Sequence, residues 1–261
     1  MKIEFLTQDD PLYILPFFEE FFREYGSEFE IVQVSSCRTM GKRSRWKLLK
    51  ELTCLYRPWG VGRLLARAAL AKALGLLPRG RGKSSYHSLG QLCRAYSTWF
   101  ARIGNPNDVG YVNEVRRRAP DLIVSVACPY ILKEPLLTLP PLGCVNIHHA
   151  PLPRYKGMMP TFWQMFHGES KVGVTVHYMV AKVDEGAALL QSELQIEPGE
   201  SLDHLVRRSK RYGAHCMAQV LRQISTQSQT AIKLDNEKSS YFSFPTLDEM
   251  KEFHRRGFRA I

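Results

Sequence analysis

Residues 122–157 read LIVSVACPYILKEPLLTLPPLGCVNIHHAPLPRYKG. Leu122 to Ala127 is apolar except for Ser125, and a run of that length closed by Pro129 predicts a central parallel strand covered on both faces. Val145 to Ile147 predicts a second short strand that runs into a proline-rich loop. Asn146 and His148 are two residues apart at its end, so their side chains share one face. In an open α/β sheet the strand ends are where ligands bind. Upstream, Lys2 to Leu6 (KIEFL) predicts a buried first strand, and Pro11 to Tyr25 a helix. Its stripe of Leu12, Leu15, Phe18, Phe21 and Phe22 faces a core, and Pro16 sets where regular helix can begin. Glu30 to Val34 (EIVQV) completes a strand, helix, strand opening.

The rhythm continues downstream. Helices are expected at Leu89 to Tyr96, from an Asn107 or Asp108 cap to Arg118, at Thr161 to His167, from a Ser201 or Asp203 cap to about Ile224, and at Leu247 to Arg255. Strands are expected at Trp99 to Ile103, Val172 to Met179 and Leu189 to Ile196. The fold class is α/β: a Rossmann-like, mostly parallel twisted sheet with helices on both faces. Residues 1–225 are expected to form one α/β domain, with a basic helical insertion after the second strand at about 38–85, and residues 226–261 a short C-terminal extension.

Composition removes several classes. With 261 residues and 44% in the hydrophobic set, the chain can bury a large core. The start, MKIEFLTQDD, lacks the apolar core of a secretion signal, and no run of about 18 uncharged apolar residues appears. Six cysteines are scattered without CxxC or HxxxH groupings, so reduced thiols and no metal are expected. Cys128 and Cys144 read as small core residues. A cytoplasmic protein is implied, with the inner face of the membrane as the one peripheral location left open.

The net charge of +11 sits in one place. From Arg38 to Lys83 thirteen Lys and Arg face a single acid, Glu51, so the rest of the chain sums to −1. Leu48, Leu49, Leu52 and Leu55, then a break at Pro58 and Gly60, then Leu64, Leu65, Ala68, Ala69 and Ala73 predict two amphipathic helices between Ser44 and Leu77. The PRGRGKSS loop that follows is not a Walker loop; Lys83-Ser84 is a fragment of one. Dense cations beside Trp46 and Trp59 suit an anionic membrane surface. The plainer reading packs the apolar faces on the core or a second copy of the chain and leaves the cations as a solvated rim.

The second informative stretch is Val183 to Gly186, VDEG, which sets Asp184 in a turn 36 residues after His148, beyond another helix and strand. Taken singly, an Asn at a strand end, a lone His and an Asp before Glu-Gly are usually turn-formers or structural groups. NIH, a loop ending LPRYKG and a distant DEG after GVTVHYM together resemble the 10-formyltetrahydrofolate-dependent formyltransferase family. That family includes glycinamide ribonucleotide transformylase, methionyl-tRNA formyltransferase, sugar-nucleotide N-formyltransferases and formyltetrahydrofolate hydrolase. The resemblance covers about Asn105 to Ile224 and the first strand and helix, but not Arg38 to Tyr96. It implies Asn146, His148 and Asp184 as catalytic residues and 10-formyltetrahydrofolate as co-substrate. It further implies a pteridine wall at Pro129, Tyr130, Ile131 and Leu132, and backbone recognition by Val180, Ala181, Lys182 and Val183.

The chemistry agrees with that reading. Formyl transfer to an amine builds an oxyanion, which the Asn146 amide can stabilise by roughly 2.7–4 kcal/mol. His148 titrates near neutrality and can donate or move a proton, while Asp184 can orient it or take the amine's surplus proton. Most other histidines (His167, His204, His215 and His254) read as structural or solvent-facing, and the face of His177 is open. His149 departs from many transferases and resembles the hydrolase branch, as does Asp184-Glu185-Gly186. Met158 to Trp163 and the stretch from Asn105 to Pro129 look more like sugar-type transferases. Hydrolases also carry an N-terminal regulatory domain, whereas this catalytic fold starts at Lys2. The expected function is therefore an N-formyltransferase acting on a small amine acceptor such as an amino-sugar nucleotide. The alternatives are a hydrolase releasing formate, or a folate-fold binding protein working through its basic helices. The tRNA acceptor is less favoured, because about 35 residues after the long helix are too few for a tRNA-gripping barrel.

Overall fold

Phe5, in the middle of β1 (Lys2–Gln8), lies edge-on to Phe17, Phe18 and Phe21 of α1 (Leu15–Tyr25). The apolar stripe of the helix is thus laid on the first strand. Pro16 falls in the first turn, where its missing N–H interrupts no helical bond. β2 (Glu30–Cys37) returns parallel to β1. The structure is a computed structural model that describes residues 1–38, 45–82 and 85–261. Ser44, Lys42 and Arg43 of the basic segment, and Lys83 and Ser84 of the loop after it, lie outside the described residues.

The chain continues through α2 (Arg45–Leu74), α3 (Leu89–Ala95), β3 (Phe100–Ile103), α4 (Val109–Arg118), β4 (Leu122–Val126), α5 (Glu134–Leu137) and β5 (Cys144–His148). It then runs through β6 (Lys156–Gly157), α6 (Pro160–Phe166), β7 (Lys171–Tyr178), β8 (Ala188–Gln195), α7 (Leu202–Ser225), β9 (Tyr241–Phe242) and α8 (Leu247–Arg255). Seven strands form one sheet in the order β3-β2-β1-β4-β5-β7-β8. The first five are parallel, and β7 and β8 join antiparallel. This is a Rossmann-like sheet, as the sequence implies. The sheet reverses direction at β7, which returns antiparallel along β5 after β6 and α6, and β8 pairs back on β7 through a loop, which antiparallel neighbours allow. Every residue of β4 is buried, Ser125 included, as expected of a central strand covered on both faces.

Two layers cover the sheet. On one face α1, α3 and α7 pack against Ile3, Phe5, Val34, Val124, Val145 and Ile147. On the other, Tyr111, Val112 and Val115 of α4 and Leu136 of α5 pack on Leu6, Ile123 and Cys144. Glu4 of β1 is fully buried here, and its carboxylate accepts a bidentate pair from Arg118 (2.8 and 2.9 Å) and the hydroxyls of Tyr111 and Ser35. A buried charge so satisfied ties α4 to the first strand, and removing one partner of such a pair costs about 3–5 kcal/mol.

A third core explains the insertion and the tail together. Leu55, Tyr56, Val61 and Leu64 of α2 pack with Phe162 and Trp163 of α6, Leu202 and Leu205 of α7, and Met250 and Phe253 of α8. α2 is two helical runs merged across Arg57, whose backbone is left-handed (φ 60°), immediately before Pro58. The expected break therefore falls one residue before the proline, because a residue preceding proline is pushed out of the helical region. His254 of α8 bonds the Leu55 carbonyl through Nε2 (2.7 Å), a structural role as expected. The backbone N–H groups of Leu202 and Asp203 donate to Arg259 and Ala260 (both 2.9 Å), seating the end of the chain on the start of α7. Ser201 caps that helix, accepting from the His204 N–H.

Candidate active site

β5 supplies the first two residues. Asn146 and His148 lie on one side of the strand, and Ile147 and His149 on the other. Gly213 of α7 approaches that second side so closely that a Cβ there would stand 2.7 Å from Ile147 and 2.9 Å from His149. β7 pairs antiparallel with β5 in the register Asn146↔His177 and His148↔Thr175. Direct cross-strand partners share a face, so this register puts His177 beside Asn146.

Hydrogen bonds then fix each ring. His148 Nε2 is 2.8 Å from the Tyr155 carbonyl oxygen. A carbonyl only accepts, so Nε2 carries the proton and Nδ1 of the neutral ring is left as an acceptor. Nδ1 stands 3.8 Å from Asp184 Oδ2. His177 Nδ1 likewise donates to the Tyr178 carbonyl (2.8 Å), and its Nε2 accepts from Asn146 Nδ2 (3.1 Å). His177 Nε2 is also 3.6 Å from Asp184 Oδ1. One carboxylate thus faces two imidazoles, each at contact distance, with the amide held between the strands.

Asp184 reaches this position from the loop joining β7 to β8. Its own backbone is left-handed (φ 54°), and the Gly157 N–H donates to its Oδ2 (3.3 Å). Two glycines make the approach geometrically feasible. A Cβ on Gly186 would stand 1.7 Å from the Tyr178 carbonyl oxygen. One on Gly157, at φ 94°, would stand 2.3 Å from that of Phe242. Tyr155 and Met159 also have positive φ (59° and 50°), so unusual backbone is concentrated beside the site.

The electrostatics follow from burial and these partners. Burial by itself would raise the Asp184 carboxyl, but the adjacent His177 and His148 rings and the Gly157 N–H outweigh it and hold the group at about 2. His148 is pulled below its usual 6.5 by burial, opposed by the Asp184 carboxylate. Its ring is therefore neutral at pH 7, with an unprotonated Nδ1 aimed at a carboxylate that would stabilise a proton arriving there. His149 is buried on the far side with neither ring nitrogen hydrogen-bonded, and burial with Lys210 nearby keeps it well below 6.5.

The structure brings Asn146, His148 and Asp184 into one cluster and adds His177, which the sequence left open. The signal for His177 was the β5–β7 pairing, which no local pattern encodes. Ile131, after β4, and Val180 and Val183, in the loop that carries Asp184, expose large apolar side chains, and Ala181 and Lys182 of that loop are also exposed. Pro129 and Tyr130 are half-buried. Leu132, the last residue of that stretch, is buried and packs with Leu136 and Tyr111. Exposed apolar loops beside a buried polar cluster suit a flat aromatic ring carrying a reactive polar group, so the residues present fit a folate. Among the described residues one three-donor cluster, Glu197, Glu200 and His204, has metal-ligand spacing. Arg208 and His204 already occupy the Glu200 carboxylate (2.7 Å each). A concavity of about 540 Å³ between α4 and α5 contains none of the site residues.

Comparisons with known proteins bear on the family and the fold. The methionyl-tRNA formyltransferase of Syntrophus aciditrophicus is 33% identical over 165 residues, covering 63% of this chain and 53% of the relative. That of Geobacter sulfurreducens is 38% identical over 130 residues, 50% of this chain and 41% of the relative. The chain spans about half the length of the curated relatives it matches. Among solved structures, glycinamide ribonucleotide transformylase 1 from Symbiobacterium toebii superposes with a TM-score of 0.60 at 16% identity, covering 90% of this chain and 94% of that one. A sugar N-formyltransferase from Shewanella sp. FDAARGOS_354 gives 0.57 at 17% identity, covering 97% and 87%. These two likenesses establish the fold. The sequence profile described as Formyl transferase matches residues 79–221, which hold β5, β7 and the loop that delivers Asp184. That match extends over more than half of the sequence, and on it the chain belongs to the formyl transferase family.

Proposed function

We propose that the protein transfers the formyl group of 10-formyltetrahydrofolate to the primary amine of a small acceptor in the cytoplasm, with Asn146, His148 and Asp184 as its catalytic residues. The observation that carries this reading is the convergence of two imidazoles on one carboxylate, with the Asn146 amide bonded to one of the rings and His148 presenting an unprotonated Nδ1. The folate supplies an activated formyl carbon when bound. Pro129, Tyr130 and Ile131 would wall its ring, and the backbone of Val180, Ala181, Lys182 and Val183 would meet its polar edge.

The remaining work falls to this chain's own groups. The second Nδ2–H of Asn146, not used by His177, is a neutral donor for a carbonyl oxygen that gains negative charge. His148 Nδ1 can take the amine's surplus proton, and the nearby Asp184 carboxylate stabilises the resulting imidazolium. In this reading residues 1–225, with the insertion at about 38–85, carry the reaction, and residues 226–261 close the core over α2 and α6.

The acceptor is tested by following tetrahydrofolate release spectroscopically against amino-sugar nucleotides, amino acids and aminoacyl-tRNA. A nucleotide-linked amino sugar is the expected acceptor. Aminoacyl-tRNA as the sole acceptor would replace it, a second reading favoured by the methionyl-tRNA formyltransferase relatives. Formate released at full rate without any amine would identify a hydrolase. No turnover of the folate under any condition would overturn the enzymatic reading and leave a binding protein.

A further inference from the structure

We propose that the outer face of the α2 insertion is a docking surface for anionic lipid, holding the protein reversibly on a negatively charged membrane. The run from Pro58 to Leu74 has two apolar faces, and only one of them is used by the fold. Val61, Leu64 and Ala71 point inward and are buried. On the opposite side, Trp59, Gly62, Ala66, Leu70 and Ala73 follow one another at three- and four-residue steps, and Leu76 and Leu77 extend the apolar surface just past the helix end. Trp59 is 82% exposed, Leu70 57%, Leu76 80% and Leu77 55%. A Cβ added at Gly62 would meet nothing within 4 Å, so the face is open to solvent. Of the fifteen large apolar side chains that are exposed among the described residues, seven lie between Trp46 and Leu77.

The flanks decide the occupant. At 100° per residue Arg63 and Lys72 fall on the two sides of the apolar stripe, and both are exposed. Arg57, Arg79 and Arg81 are exposed near its ends. The one acid of the segment, Glu51, is buried in the first helical run. A second copy of the chain laid on this face would bring like-charged flanks together, and an RNA would leave the outward Trp and Leu side chains without partners. A surface with acyl chains beneath negative headgroups satisfies the apolar stripe and the cationic flanks at once. No helix among the described residues is long and apolar enough to cross a membrane, so the contact is peripheral.

The test is co-sedimentation of the full chain with vesicles of phosphatidylglycerol mixed with phosphatidylcholine, and with phosphatidylcholine alone. Binding is expected only to the anionic vesicles, and should fall at least roughly tenfold at about 0.5 M salt. Trp59→Glu/Leu70→Glu/Leu77→Glu and, separately, Arg63→Glu/Lys72→Glu should each reduce binding by roughly tenfold or more. The second pair replaces only exposed side chains, which keeps the test valid if the first set disturbs folding. Both variants should retain the circular dichroism and the folate turnover of the parent. Equal binding to neutral vesicles, binding unchanged in both variants, or no vesicle binding at all would overturn the proposal. So would a dimer in light scattering that the apolar variant dissociates, or salt-sensitive binding of tRNA but not vesicles. Vesicle binding is read without any acceptor, so its failure is distinguishable from failure of the catalytic reading.

Discussion

Replacing Asp184 by Asn removes one negative charge while keeping the shape of the side chain. The parent carboxyl is held at about 2 against 3.8 for a free one, with its side chain 9% exposed. At about 1.36 kcal/mol per pH unit, the ionised form therefore stabilises the fold by about 2 kcal/mol at neutral pH, and the amide forfeits that. The sign follows from the direction of the shift. A carboxyl whose pKa is depressed on folding contributes fully above 3.8 and loses its contribution as pH falls through about 2. Urea unfolding of parent and Asp184→Asn should thus differ by about 2 kcal/mol at pH 7, with the gap closing below pH 4. Turnover in the tetrahydrofolate-release assay should fall by about 10²–10⁴-fold, because the imidazolium of His148 loses its counter-charge. An Asn variant as stable as the parent at pH 7 and turning over within about twofold of it would refute both the electrostatic reading and the assigned role.

Three further outcomes follow from the same geometry. Asn146→Ala should lower kcat by about 10²–10³-fold with a smaller change in KM, since the amide acts mainly on developing charge; a pure KM effect would reassign it to binding. His148 is held below 6.5, so kcat/KM should remain on its plateau to pH values beneath 6.5 before an acid limb appears, and His148→Gln should abolish that limb. The same depressed pKa means stability declines as pH drops below 6.5 and levels off beneath the folded value, visible as a falling melting temperature. Gly157→Ala should lower stability by about 1–3 kcal/mol, because φ 94° and a 2.3 Å approach to the Phe242 carbonyl leave no room for a methyl; an unchanged melting temperature would show that the β6–β9 pair relaxes freely.

Much of the architecture was legible because its determinants are local. The continuous apolar run at Leu122–Val126, the phenylalanine stripe of α1 and the Ser201 cap each carry their structural meaning within a few residues. Elements made only by distant pairing were not legible. β6 and β9 are two residues each and exist because Lys156 meets Tyr241 and Gly157 meets Phe242. α5 is four residues, too short to show a period. The antiparallel edge was equally hidden, since the direction of β7 depends on how the segment between His148 and Lys171 returns the chain to β5 and not on the composition of β7.

The insertion divides in the same way. Its two helical runs and its cations could be read directly, but which apolar side chains were inside could not. Leu55, Tyr56 and Leu64 are buried because α6, α7 and α8, the last more than 200 residues from the start of the insertion, pack against them. Leu70 and Leu77, of the same residue type, are left outside because nothing in the described chain reaches them.

For the candidate site, the sequence determined which groups were available: an amide and an imidazole two residues apart on a strand end, and a carboxylate in a glycine-closed turn. Tertiary structure decided that they meet. Asp184 is near His148 because β7 runs back along β5 in one register, because Gly186 lets the loop press against Tyr178, and because the Gly157 N–H holds the carboxylate. The same register recruited His177. Residue types are fixed by covalent order, whereas distances between far-apart side chains are set by packing and backbone pairing that involve the whole chain.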